Sequence, residues 1–320
     1  MKHLLAIKDL GRGEIEAILD RAESFAEVGR RDIKKVPTLR GRTVVSLFYE
    51  SSTRTSASFE LAAKRLSADL ISLKAAGSSV DKGESLKDTC ATLSAYDPAA
   101  IVIRHPYAGA AQLVAGWSGA AVINAGDGKH EHPSQALLDL FTLRRRLGSL
   151  EGVRIWIVGD VLHSRVARSN LVAFGAMGAE VTVCGPPALI PRGIEQLGCA
   201  VSHSLDRLGE ADVVYALRLQ EERMAESFVP SIREYAAHFQ IDSRRLGPRQ
   251  LLMHPGPVNR GVELSGEVID SPQSLMTEQV ASGLVVRMAI LYELLASGPQ
   301  RPVAAADEAE ESPTPIGQPA

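Results

Sequence analysis

The stretch "TVVSLFYESSTRTSASFELAAKRL", Thr43 to Leu66, changes character half-way. Its first part, Thr43 to Tyr49, is β-branched and aromatic, the composition of a buried strand. Its last part repeats Phe59, Ala62, Ala63 and Leu66 at helical spacing. Between them lie Ser51, Ser52, Thr53, Arg54 and Thr55. A strand-to-helix turn exposes unpaired backbone N–H groups and the positive end of a helix dipole. Such a place binds an anion, phosphate above all. An ordinary helix N-cap needs only one Ser or Thr, so the added hydroxyls and Arg54 point beyond capping. The turn is not a Walker A loop, because it has no glycine and no GK[ST].

Outward from this stretch, strand and helix patterns alternate. Leu10 to Glu27 reads as an amphipathic helix with Ile15, Ile18, Leu19 and Ala22 on one face. Further strands are expected at Leu70–Leu73, Ala100–Ile103, Ala121–Asn124, Arg154–Val158, Glu180–Cys184, Val213–Ala216 and Gln250–Met253. Alternation of this kind argues for α/β architecture with parallel sheets. A boundary falls near Arg144–Gly152, where a leucine-rich helix ends and a new strand–loop–helix unit begins. The last helix is expected over Glu278–Leu295. Beyond it the chain is rich in Pro, Ala and Glu, with almost nothing to bury, and disorder is expected.

Composition excludes several classes. The 320 residues are 45% hydrophobic and 23% charged, which suits about two soluble domains. No apolar run is long enough to span a bilayer, and the N-terminus has too short an apolar stretch for a signal peptide. Cys90, Cys184 and Cys199 form no CxxC pair and are odd in number, so a reducing cytoplasm is the simplest setting. From Pro299 onward four acids face one base, Arg301, which accounts for the whole net charge of −3. The neutral body gives no support for a nucleic-acid partner.

Several further blocks appear in order. They are "SSVDKGESLKDT" (Ser78–Thr89), "IRHP" (Ile103–Pro106), "NAGDGKHEHPSQALLDLFTL" (Asn124–Leu143), "VGDVLHSRVARS" (Val158–Ser169), "RLQEER" (Arg218–Arg223) and "HPGPVNRGVE" (His254–Glu263). Pro133 suits a first helical turn, so His132 lies at a helix N-terminus, where the dipole disfavours a protonated ring. A metal site of His130 and His132 lacks a third ligand at sensible spacing. The unit after Arg154 could suggest a dinucleotide fold. However, GxGxxG is absent, and its second strand ends in Cys184-Gly185-Pro186, where an acid would hold the ribose.

With "FYESSTRTSASFE", these blocks resemble the aspartate and ornithine carbamoyltransferases over all but the tail. The resemblance implies two Rossmann-like three-layer α/β domains, each with a mainly parallel sheet, joined by interdomain helices. Residues 1–145 with 278–298 would bind carbamoyl phosphate, and 146–277 would bind the amino acid. The tail, 299–320, would stand outside both. It implies that Ser52, Thr53, Arg54, Thr55 and Arg104 hold the phosphate, with Thr55 and Arg104 also at the carbonyl oxygen. His132 would polarise that carbonyl, and Gln135 would bind the carbamoyl NH2. Ser78 and Lys82 would reach carbamoyl phosphate and aspartate from a neighbouring subunit, making a cyclic homotrimer with shared sites. Arg168 and His105 are read as structural.

The acceptor follows from the second half of the resemblance. Arg218 and Gln220 match the aspartate-binding Arg-x-Gln, whereas the ornithine enzymes carry a DxxxSMG-type segment there and HCLP in place of "HPGP". Arg218 would take the side-chain carboxylate and Arg165 the α-carboxylate. Gly256 and Pro257 would face the carbamoyl group and the incoming amine with backbone carbonyls, Gly256 standing where the family has a larger or alanine-like residue. Glu50 would pair with Arg165 and Arg223 to hold a closed form. The implied reaction gives N-carbamoyl-L-aspartate and phosphate, a step of de novo pyrimidine synthesis, with no cofactor and no metal. A separate regulatory chain or a dihydroorotase is left open as a partner. Two other classes are weighed against this: a nicotinamide oxidoreductase, and an inactive scaffold, which would be expected to have lost some of these residues.

Overall fold

The computed structural model describes residues 1–74, 83–220 and 228–296. The expected sites Ser78, Lys82 and Arg223 lie outside the described residues, as does the tail from residue 297. Two parallel sheets form the frame. The first contains β1 (Thr43–Phe48), β2 (Asp69–Lys74), β3 (Ala100–His105) and β4 (Ala121–Asp127), in the order β2-β1-β3-β4. The second contains β5 (Arg154–Val158), β6 (Glu180–Cys184), β7 (Ala200–Ser202), β8 (Val213–Ala216) and β9 (Leu251–Met253), in the order β7-β6-β5-β8-β9. Every pairing within them is parallel. The two-domain α/β architecture read from the sequence is the one observed, with helices on the sheets and between them.

Strand β7 escapes the sequence pattern because it is three residues long and half-exposed at a sheet edge. Nothing in "AVS" alternates for long enough to signal a strand. The central strands β1 and β3 are buried nearly throughout, as parallel strands covered on both faces must be.

The helices are α1 (Arg12–Val28), α2 (Thr53–Arg65), α3 (Leu86–Ser94), α4 (Ala110–Trp117), α5 (Pro133–Leu147), α6 (Arg165–Ala176), α7 (Ile232–Phe239), α8 (Gly266–Ile269) and α9 (Met276–Leu295). Helix α9 packs against α1, α2 and α5, and α5 packs in turn against α6. Helix α5 is buried from Pro133 to Leu143, which is why its apolar run is nearly unbroken. One apolar cluster therefore runs from Ile15 and Phe25 through Leu137 and Val286 to Phe174 and Ile155.

Strand order places the site. In the first sheet the chain moves outward from β1 to β2, then crosses to the other side of β1 for β3. In the second it moves outward from β5 to β7, then crosses to the other side of β5 for β8. A crevice opens at the carboxyl ends of the strands where the order reverses, and ligands bind there in open α/β sheets. The turn after β1, the end of β3, and the turns after β5 and β8 are therefore the four places to inspect.

Candidate active site

All four converge on one cleft of about 900 Å³ between the sheets. The turn after β1 supplies Glu50 to Thr55, and helix α2 starts on it. Ser52 is the N-cap, its Oγ accepting from the N–H of Thr55 at 3.4 Å. A cap of this kind is worth about 1 kcal/mol. Thr55 is buried, while Arg54 is exposed to the cleft. The Arg54 guanidinium lies over Gly256, where a Cβ would come within 2.5 Å of its Cζ. Gly256 also has φ of +65°, a left-handed conformation that glycine adopts without strain.

The end of β3 supplies Arg104. Its Nη1 donates to Ala125 O at 3.4 Å, and its Nε lies 3.5 Å from Glu50 Oε2. Beside it, His105 turns away from the cleft, its ring packed between Tyr49 and Tyr107 and its Nδ1 accepting from Tyr107 N–H. Helix α5 begins at Pro133 with His132 as its N-cap residue. The His132 N–H donates to Ser169 Oγ at 2.8 Å, which in turn donates to Glu131 Oε2 at 2.6 Å. His130 stands apart from the cleft lining, its Nδ1 3.1 Å from Asp127 Oδ2.

From the second sheet, the turn after β5 starts α6 with Arg165, almost wholly buried. Its Nη2 donates to Glu50 Oε2 at 2.8 Å across the cleft, and its Nη1 donates to Gly128 O at 3.1 Å. Its flank lies on Gly126, where φ is +114° and a Cβ would stand 2.9 Å from Nε, so only glycine fits. The turn after β8 supplies Arg218 and Gln220, and the Gln220 N–H donates to Asp160 Oδ2 at 3.2 Å. The loop after β9 supplies Gly256 and Pro257, joined by a cis peptide bond.

Arg287, Gln279 and Ser58 line the cleft without having been singled out from the sequence. Arg287, buried on α9, donates from Nη1 to Ser58 Oγ and stacks over Phe59. Burial pulls its guanidinium down to about 10, against the pull of Asp139. Gln279 donates from Nε2 to Asp139 Oδ1 at 2.7 Å, while its Oε1 accepts from His254 N–H at 3.1 Å. Ser58 joins them from the second turn of α2. The available signal was a lone charge in an apolar helix: Arg287 in "LVVRMAIL", and likewise Asp139 behind the cleft in "ALLDLF".

Electrostatically the cleft is an anion receptor. Guanidinium groups of Arg54, Arg104, Arg165, Arg218 and Arg287 line it, and Glu50 is the acid among the described lining residues. Burial, then Arg104, Arg165 and Arg287, hold His132 well below the usual imidazole range, so it is neutral. His254 is lowered by burial too, against the opposing pull of Glu263. Both folded values lie below the unfolded value of 6.5, so protonation favours unfolding. Their contribution to stability is whole above 6.5 and is lost as the pH falls below it. The urea midpoint of wild type relative to His254→Gln should accordingly fall on acidification, a difference that isolates His254 from the other titrating groups. A constant difference from neutral to acid pH would contradict it.

These features match known proteins over nearly the whole chain. Residues 2–145 match the carbamoyl-P binding domain of the aspartate/ornithine carbamoyltransferases, and residues 151–294 match their Asp/Orn binding domain. The chain belongs to the aspartate/ornithine carbamoyltransferase family. Among curated family members, the aspartate carbamoyltransferase catalytic subunit of Acidothermus cellulolyticus is 55% identical, covering 99% of each chain. That of Pelotomaculum thermopropionicum is 56% identical, over 93% of this chain and 97% of its own. Among solved structures, aspartate transcarbamoylase from Trypanosoma cruzi in complex with aspartate and phosphate is 32% identical with a TM-score of 0.83, covering 92% of this chain and 97% of that one. The catalytic subunit of the M. jannaschii enzyme is 38% identical with a TM-score of 0.81, over 93% and 99% of the two chains.

Proposed function

We propose that the chain transfers the carbamoyl group of carbamoyl phosphate to the amine of L-aspartate, giving N-carbamoyl-L-aspartate and phosphate. The observation that carries this reading is the meeting of two anion receptors. The Ser52–Thr55 turn and Arg104 stand on one side of the cleft, and Arg165 with Arg218 and Gln220 on the other. The first suits a phosphate, whose oxygens accept from a guanidinium fork and a helix N-terminus. The second suits a dicarboxylate, which needs more than one guanidinium.

Little covalent work is asked of the protein, so positioning and electrostatics dominate. The deprotonated amine attacks the carbonyl carbon. A tetrahedral oxyanion forms near Thr55, Arg104 and His132. The bond to the phosphate oxygen breaks, and phosphate leaves with the amine proton. A neutral His132 can donate one N–H to that oxyanion without adding a charge that the cleft's guanidiniums would oppose. Gln135 takes the carbamoyl NH2. Glu50 ties Arg165 and Arg104 together and so holds the two receptors at a fixed separation.

On this reading residues 1–145 with 278–298 form the carbamoyl-phosphate domain, and 146–277 the aspartate domain. The packing of α9 on α1, α2 and α5 supports giving the last helix to the first domain. A cyclic homotrimer completes each site, with Ser78 and Lys82 supplied by the neighbour. What supports this is the resemblance of Ser78–Thr89 to the family segment that does so. A reducing cytoplasm suits three buried cysteines that form no disulfide. No helix among the described residues is long and apolar enough to cross a membrane.

A product assay tests the reading. With carbamoyl phosphate and L-aspartate the expected product is N-carbamoyl-L-aspartate, at a rate well above that with L-ornithine. A faster rate with ornithine would overturn the acceptor assignment.

A further inference from the structure

Behind the cleft, one buried carboxylate gathers donors from both lobes. Asp139 of α5 accepts at Oδ1 from Gln135 Nε2 (3.1 Å) and Gln279 Nε2 (2.7 Å). At Oδ2 it accepts from Asn170 Nδ2 (3.0 Å) and the Tyr215 hydroxyl (2.7 Å). An ionised carboxylate offers about four lone-pair sites and no proton. All four are taken. Asp139 and Tyr215 are fully buried, and Gln135 is buried with one edge on the cleft.

We propose that Asp139 is a positioning residue that fixes the sense of the Gln135 amide and so makes the cleft read an NH2 group. An amide facing an acceptor-only carboxylate must present its NH2 to it. Gln135 therefore turns Nε2 back to Asp139 and leaves Oε1 as the atom facing the cleft beside His132. That oxygen accepts from a carbamoyl NH2 and has nothing to accept from a methyl group. The same logic fixes Gln279, whose Oε1 is left to hold His254 N–H at the base of the Gly256–Pro257 loop. In free solution either amide would sample both senses equally, and neither could discriminate.

The inference rests on the proposed carbamoyl transfer, and its test uses the intact enzyme with two isosteric donors. Acetyl phosphate replaces the NH2 of carbamoyl phosphate by CH3. In Asp139→Leu the KM for carbamoyl phosphate should rise about 10-fold, the cost of an unmade buried hydrogen bond. The Ki of acetyl phosphate as a competitor should stay within about twofold, since its methyl group never used that bond. Asp139→Asn should restore the discrimination. Its remaining oxygen can face Gln135, because the Tyr215 hydroxyl and the Asn170 amide can both turn to meet the new NH2. In a Gln135→Ala background, Asp139→Leu should no longer change the ratio of the two constants. Both constants moving together in Asp139→Leu, or neither moving, would overturn the proposal. Should Asp139→Leu fail to fold, the side-chain amide of Gln135 is read directly in wild type by NMR with labelled glutamine, assigned by its loss in Gln135→Ala. One downfield, exchange-protected proton is expected, and two protons exchanging at solvent rates would overturn it. A wild type that makes no N-carbamoyl-L-aspartate would sink the proposed function itself. An active wild type with an unchanged ratio in Asp139→Leu sinks only the role of Asp139.

Discussion

Replacing Arg54 by Ala should lower kcat by about 100-fold or more, the usual loss when a charged transition-state contact is removed. Arg54 sits in the first turn of α2, exposed to the cleft, with Gly256 beneath its guanidinium. It donates no hydrogen bond to another described residue, so its fork is open for a ligand. Its removal should leave the fold nearly untouched, because it supports no buried contact. Arg54→Lys should recover only part of the loss, since an ammonium cannot donate two parallel bonds to one phosphate. Steady-state kinetics at saturating aspartate, with a thermal melt as the control for folding, decide the matter. A kcat within about threefold of wild type would remove Arg54 from the catalytic group.

The second large effect is expected for Arg165. Arg165→Ala should raise the KM for L-aspartate by about 30-fold or more, the scale for truncating one partner of a buried, hydrogen-bonded charge pair. Two losses coincide. The cleft loses a guanidinium on the proposed acceptor side, and Glu50 loses its 2.8 Å partner, while Arg104 stays 3.5 Å from it. Without Arg165 the negative charge of Glu50 is less well neutralised and would repel an incoming dicarboxylate, so the effect should fall on aspartate more than on carbamoyl phosphate. Initial rates over a matrix of both substrates separate the two. Equal rises in both KM values would mean that Arg165 serves the cleft as a whole and not the acceptor side.

Much of the site could be read from local sequence because its receptors are local motifs. The Ser52–Thr55 turn, the His132–Pro133 helix start and the Arg165 helix start each lie within one strand–turn–helix unit. Each unit folds as its own sequence predicts. The neutrality of His132 could be foreseen from the helix dipole alone, but its burial and three arginines, from β3, α6 and α9, come only with the fold. Arg287, Gln279 and Asp139 were missed for the opposite reason. Their significance lies in partners far along the chain: Arg287 with Ser58, and Gln279 with Asp139. A lone polar residue in an apolar helix signals that some partner exists, without saying which.

The chain's own letters determined the alternation of strands and helices, the hydroxyl- and arginine-bearing turn after β1 and the family to which they belong. Those depend on periodicity and on residues a few positions apart. Tertiary structure alone decided that the turn after β1 faces the turns after β5 and β8. It also decided that Glu50 spans the gap to Arg165, and that one carboxylate on α5 accepts from side-chain amides on both α6 and α9. The physical reason is that strand order and helix packing are chosen by burying apolar surface between segments over a hundred residues apart. A polar group enclosed by that packing must then take whatever partners the packing brings to it.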